Sequence, residues 1–133
     1  MTIAIDAQGE ATRLPRKLYI AGPMTGYAEW NFPAFRAAAV QLRAAGYQVV
    51  SPAELEEGAG FDPSAPVGEF TVEHLRAALR RDVIAVLDSD GVAVLPGWQH
   101  SRGACAEVSL AHAAKLPARD LRVWLQMAKG GAV

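Results

Sequence analysis

The chain has 133 residues, of which 51% are hydrophobic and 20% charged, and its net charge is −1. This length and balance predict one domain with a packed core and exclude a strongly basic or acidic surface for a polyanion or membrane. No apolar run approaches the ~20 residues of a transmembrane helix, and residues 1–16 lack the pattern of a signal peptide. The chain has one cysteine, Cys105, which excludes an internal disulfide. We therefore expect a cytoplasmic protein that binds neither a membrane nor a nucleic-acid polymer.

Hydrophobic periodicity and Gly/Pro punctuation divide the chain into alternating strands and helices. The segment after the second strand is rich in Pro, Gly and Glu, and is predicted to be a long loop of the lid or binding type. The predicted elements are, in chain order, a flexible arm over 1–16, a strand over 17–21, a Gly/Pro turn over 22–26, a helix over 33–45, a strand over 47–50, a loop over 51–71, a helix over 72–87, a strand over 91–95, a helix over 101–115, a fourth or edge strand over 121–125 and a frayed tail over 126–133.

This alternation predicts an α/β fold with a mainly parallel sheet of four or five strands. The strand over 91–95 is apolar throughout, which is typical of a central strand covered on both faces. Ligands of such sheets bind where the strand order reverses, at the carboxyl ends of the strands. The loops over 22–31 and 96–101 are therefore expected to meet there, and to bring Tyr19, Asp82 and Glu107 into one cleft.

Glu107 is the first candidate for a functional side chain. Its neighbours on the predicted helix are Gly103, Ala104, Leu110, Ala111 and Ala114, and a carboxylate among small and apolar residues is costly unless it is paired or used. Spacing alone leaves a surface glutamate as an equal alternative. For Asp82, spacing alone favours a surface aspartate paired with Arg80 or Arg81.

Several short motifs, in this order and at this spacing, resemble the nucleoside 2-deoxyribosyltransferase superfamily, and a phage and bacterial branch of it most of all. The resemblance covers residues 17–125 and implies a flavodoxin-like three-layer domain that assembles as a homodimer or larger homo-oligomer. The motifs are Tyr19-Ile20-Ala21-Gly22-Pro23-Met24, Asn31-Phe32-Pro33-Ala34-Phe35, Arg81-Asp82, Leu95-Pro96-Gly97-Trp98, and the helical set Ser101, Gly103, Ala104, Glu107 and Ala111.

The resemblance also implies a role for each matching residue. Glu107 corresponds to the glutamate that attacks the anomeric carbon, Asp82 to the acid that protonates the departing base, and Tyr19 to the tyrosine that orients the nucleophile. The turn formed by Gly22, Pro23, Met24, Thr25 and Gly26 corresponds to the ligand loop after the first strand.

Ser101 stands where members that act on free nucleosides carry an acid, and where members that hydrolyse nucleoside 5′-monophosphates carry serine. A hydroxyl at a helix N-terminus attracts a phosphate that a carboxylate would repel. Ser101 as a simple helix cap is the alternative. Arg102, Gly103 and His100 lie beside it in the sequence, and Trp30 or Trp98 would either stack on the base or cover the core.

We therefore expect an enzyme that cleaves the N-glycosidic bond of a (deoxy)nucleoside 5′-monophosphate, with water or a second base as acceptor. A non-catalytic nucleotide-binding module is the alternative, because a fold does not fix a function. The chain lacks the Ser/Thr-rich turn that binds flavin in flavodoxins and shows no metal-ligand spacing, so no cofactor and no metal are expected. Cys105 is interpreted as a small packing residue.

Overall fold

The computed structural model describes residues 3–5, 11–13, 17–65 and 71–130. The strands are β1 (Ile3–Ile5), β2 (Ala11–Arg13), β3 (Lys17–Ala21), β4 (Gln48–Val50), β5 (Gly91–Val94) and β6 (Ala118–Asp120). The helices are α1 (Phe32–Ala44), α2 (Pro52–Gly58), α3 (Val72–Leu87), α4 (Arg102–Ala113) and α5 (Leu121–Gly130). None of the helices among these residues is long and apolar enough to cross a bilayer.

The main sheet has four parallel strands in the order β4-β3-β5-β6. One face packs on α1 and α5 through a core that includes Leu18, Phe35 and Trp124. The other face packs on α3 and α4 through Val86, Val108 and their neighbours. This three-layer arrangement confirms the predicted flavodoxin-like α/β fold, and the strand order reverses between β3 and β5 as such folds require.

The end of the chain differs from the prediction, because residues 121–125 are the first turns of helix α5 and not a strand. The fourth strand, β6, lies just before it. Leu121, Trp124 and Leu125 all pack on the core, and this spacing of three and four residues is helical. α5 continues to Gly130, and the rest of the predicted tail lies outside the described residues.

Trp124 connects α5 to the centre of the sheet. Its side chain is fully buried, and its Nε1 donates a hydrogen bond of 2.9 Å to the carbonyl oxygen of Val92 in β5. A Cβ atom on Gly91 would lie only 2.9 Å from the far edge of the indole ring. Glycine is therefore needed at the start of β5 for the ring to approach the strand.

The predicted loop over 51–71 contains a helix, α2, and this part of the prediction was wrong. Pro52 begins the helix, at the position where its missing N–H costs nothing. Residues 66–70 lie outside the described residues. At the end of this segment the Thr71 hydroxyl accepts a hydrogen bond from the backbone N–H of His74, which confirms the predicted start of α3.

Strands β1 and β2 form a separate antiparallel pair, with Ile3 opposite Arg13. These six residues fall in the segment predicted to be a flexible arm, and the remainder of residues 1–16 lies outside the described residues.

Candidate active site

The loops that follow β3 and β5 border a cavity of about 490 Å³ at the carboxyl edge of the sheet. Helices α3 and α4 form one wall, and α2 with the segment after it forms another. The lining residues are Gly22, Pro23, Met24, Thr25, Tyr27, Trp30, Phe32, Pro52, Glu56, Phe61, Leu75, Ala78, Leu79, Asp82, His100, Ser101, Arg102, Gly103, Ala104 and Glu107.

Two glycines allow the loops to approach each other closely. A Cβ atom on Gly22 would lie 2.9 Å from the Cβ of Leu95, at the end of β5. Gly97 has a φ of +85°, and a Cβ there would lie 2.8 Å from the Tyr27 hydroxyl. A side chain at Gly22 would push the loops apart, whereas one at Gly97 would be strained by the positive φ and would displace the Tyr27 hydroxyl.

Glu107, which lines the cavity, forms a hydrogen-bonded pair with Tyr19 behind it. The Tyr19 hydroxyl, from β3, donates to Oε2 of Glu107, from α4, over 2.5 Å. Tyr19 is completely buried and Glu107 is 7% exposed. Glu107 stands in the buried stripe of α4 with Ala104, Val108 and Ala111, so the surface alternative for this residue is excluded.

Asp82 is the second buried carboxyl of the cavity. It lies in the buried stripe of α3, between Ala78 and Val86, and is 8% exposed. Its Oδ1 atom is buried and has no hydrogen-bond partner among the described residues. An unsatisfied buried oxygen is costly, and the surface alternative for Asp82, paired with a neighbouring arginine, is wrong.

Burial changes the proton affinity of all three groups. It raises the pKa of Glu107 to about 8, and the Tyr19 hydroxyl opposes this rise while the negative charge of Asp82 adds to it. Burial likewise raises the pKa of Asp82 to about 7; the charge of Glu56 adds to the rise, and that of Arg81 opposes it. The pKa of Tyr19 lies well above its usual value, chiefly because of burial and then because of Glu107. The two carboxyls therefore retain at least one proton near neutral pH.

The N-terminus of α4 opens onto the same cavity. The Ser101 hydroxyl caps the helix by accepting a hydrogen bond of 3.1 Å from the backbone N–H of Ala104. Arg102 and Gly103, in the first turn, line the cavity together with His100. The first-turn N–H groups of a helix have no partner within the helix and attract anions.

Most of the residues predicted to form the site are brought together here, with three exceptions. Tyr19 lies behind Glu107 and does not line the cavity. Gly26 and Trp98 do not line it either, and Trp98 packs against the core beside α4. Trp30 lines the cavity in an edge-to-face contact with Phe61, with 5.7 Å between ring centroids.

Trp30 owes its position to an unusual turn. Glu29, Trp30 and Asn31 all have positive φ values, between 51° and 61°. Non-glycine residues rarely adopt this conformation, and successive ones are rarer still. The Asn31 side chain stabilises the turn by donating a hydrogen bond of 2.9 Å to the carbonyl oxygen of Pro23.

The sequence did not predict the wall formed by Glu56 and Phe61. Glu56 is 8% exposed and forms an ion pair with Arg81 of α3. The signal was present, because Pro52 followed by Ala53 and Leu55 is a helix start, but composition indicated a loop. Among residues 17–65 and 71–130, no group of three or more His, Cys, Asp or Glu side chains lies close enough together to hold a metal ion.

Comparison with solved structures identifies a 2-deoxyribosyltransferase from the bacterium Bacillus psychrosaccharolyticus as similar in fold. The TM-score is 0.56 at 20% sequence identity, and the alignment covers 77% of this chain and 69% of the other. No curated protein matches the chain. A family model described as "Domain of unknown function (DUF4406)" matches residues 16–119, most of the chain, and the protein therefore belongs to the DUF4406 family.

Proposed function

We propose that the protein is an enzyme that cleaves the N-glycosidic bond of a (deoxy)nucleoside 5′-monophosphate, with Glu107 as nucleophile. The observation that carries this proposal is the buried hydrogen bond from Tyr19 to Glu107, at the floor of a cavity that also contains the unpartnered carboxyl oxygen of Asp82. The solved 2-deoxyribosyltransferase supports it, because its name describes sugar transfer on the same fold.

In the first step, a Glu107 carboxylate oxygen forms a bond to C1′ of the sugar while the bond from C1′ to the base breaks. The bonding electron pair leaves with the base nitrogen, which takes the proton of Asp82. The product is a glycosyl ester on Glu107, as in retaining glycosidases. In the second step water attacks C1′, its proton returns to Asp82, and the Glu107 carboxylate leaves. A second base in place of water would give transfer.

The raised pKa of Asp82 fits its role as the acid in this scheme. A carboxyl with a pKa of about 7 holds a proton for a leaving group at neutral pH, and Asp82 has this property. The hydrogen bond from Tyr19 favours the charged form of Glu107. In the free protein the higher pKa of Glu107, and its interaction with Asp82, favour the proton on Glu107. The proposal therefore requires that the positive charge developing at C1′ in the transition state moves this proton to Asp82.

The N-terminus of α4 supports a phosphate on the substrate. Ser101 offers a hydroxyl, the N–H groups of Arg102 and Gly103 precede the one that Ser101 already caps, and Arg102 and His100 line the same cavity. A carboxylate at position 101 would repel the phosphate, whereas the dipole of a helix N-terminus attracts it.

Glu107→Gln should reduce the release of free base by at least about three orders of magnitude, because an amide oxygen cannot replace the nucleophile. The assay is chromatography of wild type and variant incubated with each ribo- and deoxyribonucleoside monophosphate, with and without a second free base. Ser109→Ala is the matched control, since Ser109 is exposed on the same helix. Wild-type rates in Glu107→Gln would overturn the assignment of the nucleophile.

A nucleotide-binding module without chemistry is the second candidate. The pKa of about 8 for Glu107 favours it, because a neutral carboxyl is a poor nucleophile. This candidate predicts saturable nucleotide binding by calorimetry and no free base from any monophosphate. Free base released by wild type and not by Glu107→Gln would exclude it.

A further inference from the structure

We propose that Glu56 selects the base of the substrate, and that the site accepts bases with an exocyclic amino group in preference to those with a carbonyl at the same position. The inference rests on the proposed function for where the base lies. It goes beyond that function because it assigns a residue and a chemical class to base recognition.

Asp82 fixes the part of the cavity that receives the base. Its proton must reach a nitrogen of the leaving base, so the base lies against α3 at Asp82. Glu56, Trp30 and Phe61 line this cavity together with Asp82. Glu56 pairs with Arg81, the residue that precedes Asp82 on α3, which places Glu56 beside this part of the helix. A base held between Glu107 and the aromatic pair therefore meets the carboxylate of Glu56.

The ion pair with Arg81 prepares Glu56 for one kind of contact. Arg81 donates through Nη2 to Oε1 of Glu56, and no hydrogen bond within the described residues involves the other oxygen, Oε2. The Glu56 side chain is 11% exposed, in a wall that also borders a second cavity of about 280 Å³. A carboxylate in an ion pair with arginine accepts hydrogen bonds but cannot donate them.

This restriction separates bases that otherwise have nearly the same shape. Cytosine presents an N4 amino donor where uracil presents an oxygen, and adenine differs from hypoxanthine in the same way. Glu56 Oε2 would accept a hydrogen bond from the amino group of cytosine or adenine. With uracil or hypoxanthine it would face a carbonyl oxygen, and the two acceptors would repel each other. A site built around a buried acceptor discriminates strongly against a ligand that cannot donate to it.

The test compares kcat/KM for cytidine and uridine 5′-monophosphates, and for adenosine and inosine 5′-monophosphates, including the deoxy forms. Wild type should prefer the amino member of the pair that it accepts by at least about tenfold. In Glu56→Gln the amide oxygen can still accept from Arg81, which leaves its NH₂ group to donate to a carbonyl. The preference should therefore fall at least about tenfold or reverse.

Glu57→Gln is the matched control, because Glu57 lies next to Glu56 on α2 and pairs with Arg36 at the surface. It should leave the ratio unchanged. If Glu56→Gln does not fold by circular dichroism, Glu56→Asp, which keeps an acceptor, should retain the direction of the preference. A wild-type ratio below threefold, or a preference that folded Glu56→Gln retains, overturns the inference.

The absence of free base from all monophosphates would contradict the proposed function and not this inference. The same ratios are then measured as dissociation constants by calorimetry. A wild-type preference for the amino member that is lost in Glu56→Gln supports the role of Glu56, and equal dissociation constants overturn it.

Discussion

Glu107 and Asp82 are each more than nine-tenths buried, although a carboxyl at either position gains little from the fold itself. Glu107 accepts a hydrogen bond from Tyr19 and also interacts with Asp82, whose Oδ1 has no hydrogen-bond partner among the described residues. Apolar residues at these two positions would pack without any cost of desolvation. The chain therefore keeps two acids where stability alone would favour neither, which is typical of groups retained for chemistry.

The raised pKa of Glu107 predicts how stability depends on pH. Its pKa is about 8 in the folded protein and 4.5 in an ordinary environment, so the folded state holds the proton more tightly. The associated stability is fully present below about pH 4.5 and is lost as pH rises through about 8. Glu107→Gln cannot ionise and does not incur this loss. Its free energy of unfolding relative to wild type should rise between pH 5 and pH 9 by a few kcal/mol, roughly.

Urea denaturation of both proteins at pH 5, 7 and 9 measures this difference, and taking the difference removes most titrations common to the two chains. Ser109→Ala again serves as the control and should follow wild type at each pH. A difference that stays constant or shrinks toward pH 9 would mean that Glu107 is already ionised in the folded protein.

Ser101 matters at the scale of the element, because its side chain both begins α4 and borders the cavity. A substitution that removes the cap costs about 0.5–2 kcal/mol of stability, which would obscure any effect on the ligand. Asparagine and aspartate both cap helices well and differ mainly in charge. The pair Ser101→Asn and Ser101→Asp therefore separates the two roles of this position.

Both variants should retain the thermal stability of wild type, since each can accept the hydrogen bond from Ala104 N–H. Ser101→Asp should lower kcat/KM for a nucleoside 5′-monophosphate about a hundredfold relative to Ser101→Asn, because two negative charges in contact cost several kcal/mol. Turnover or binding of the unphosphorylated nucleoside is the internal control and should differ less than threefold. Equal losses for phosphorylated and unphosphorylated substrates would place the phosphate elsewhere.

Helices with a clear hydrophobic periodicity were predictable from the sequence, and elements whose conformation depends on tertiary contacts were not. α3 was predicted over the residues that the structure shows, because Thr71 and the apolar stripe mark it. α2 has seven residues, too few for its period to outweigh a loop-like composition. Residues 121–125 were predicted to be a strand because Val123 and Trp124 have high β-propensity. The segment is helical because this conformation buries Trp124 under the sheet, and tertiary packing outweighs local propensity.

The same distinction holds for the candidate site. Tyr19, Asp82 and Glu107 were predicted to share one cleft, because strand order brings the ends of β3 and β5 together. Glu56 and Phe61 were not predicted, since their place in the cavity follows from how α2 packs and not from local sequence. Gly26 and Trp98 were predicted from their loops, but a loop sequence does not show which of its side chains turns inward.

At the scale of the whole molecule, α5 completes the layer that covers β5, the strand whose loop borders the cavity. The family match ends at residue 119, so Trp124 lies beyond it, yet it is among the largest fully buried side chains. Its indole ring fills the space above Gly91, and its N–H satisfies the carbonyl oxygen of Val92. The stability of the central strand should therefore depend on a residue outside the matched region.

Trp124→Phe should lower the free energy of unfolding by about 2–4 kcal/mol, because it leaves the Val92 carbonyl oxygen without this donor and opens a gap over β5. Val123→Ala, at a partly exposed position of the same helix, should change it by less than about 0.5 kcal/mol.

Gly91→Ala forces a Cβ against the indole edge in wild type, and the shorter phenyl ring of Trp124→Phe does not reach that edge. In a double-mutant cycle measured by urea denaturation, Gly91→Ala should cost at least about 1 kcal/mol less in the Trp124→Phe background than in wild type. Additive effects would mean that the ring and the strand do not constrain each other.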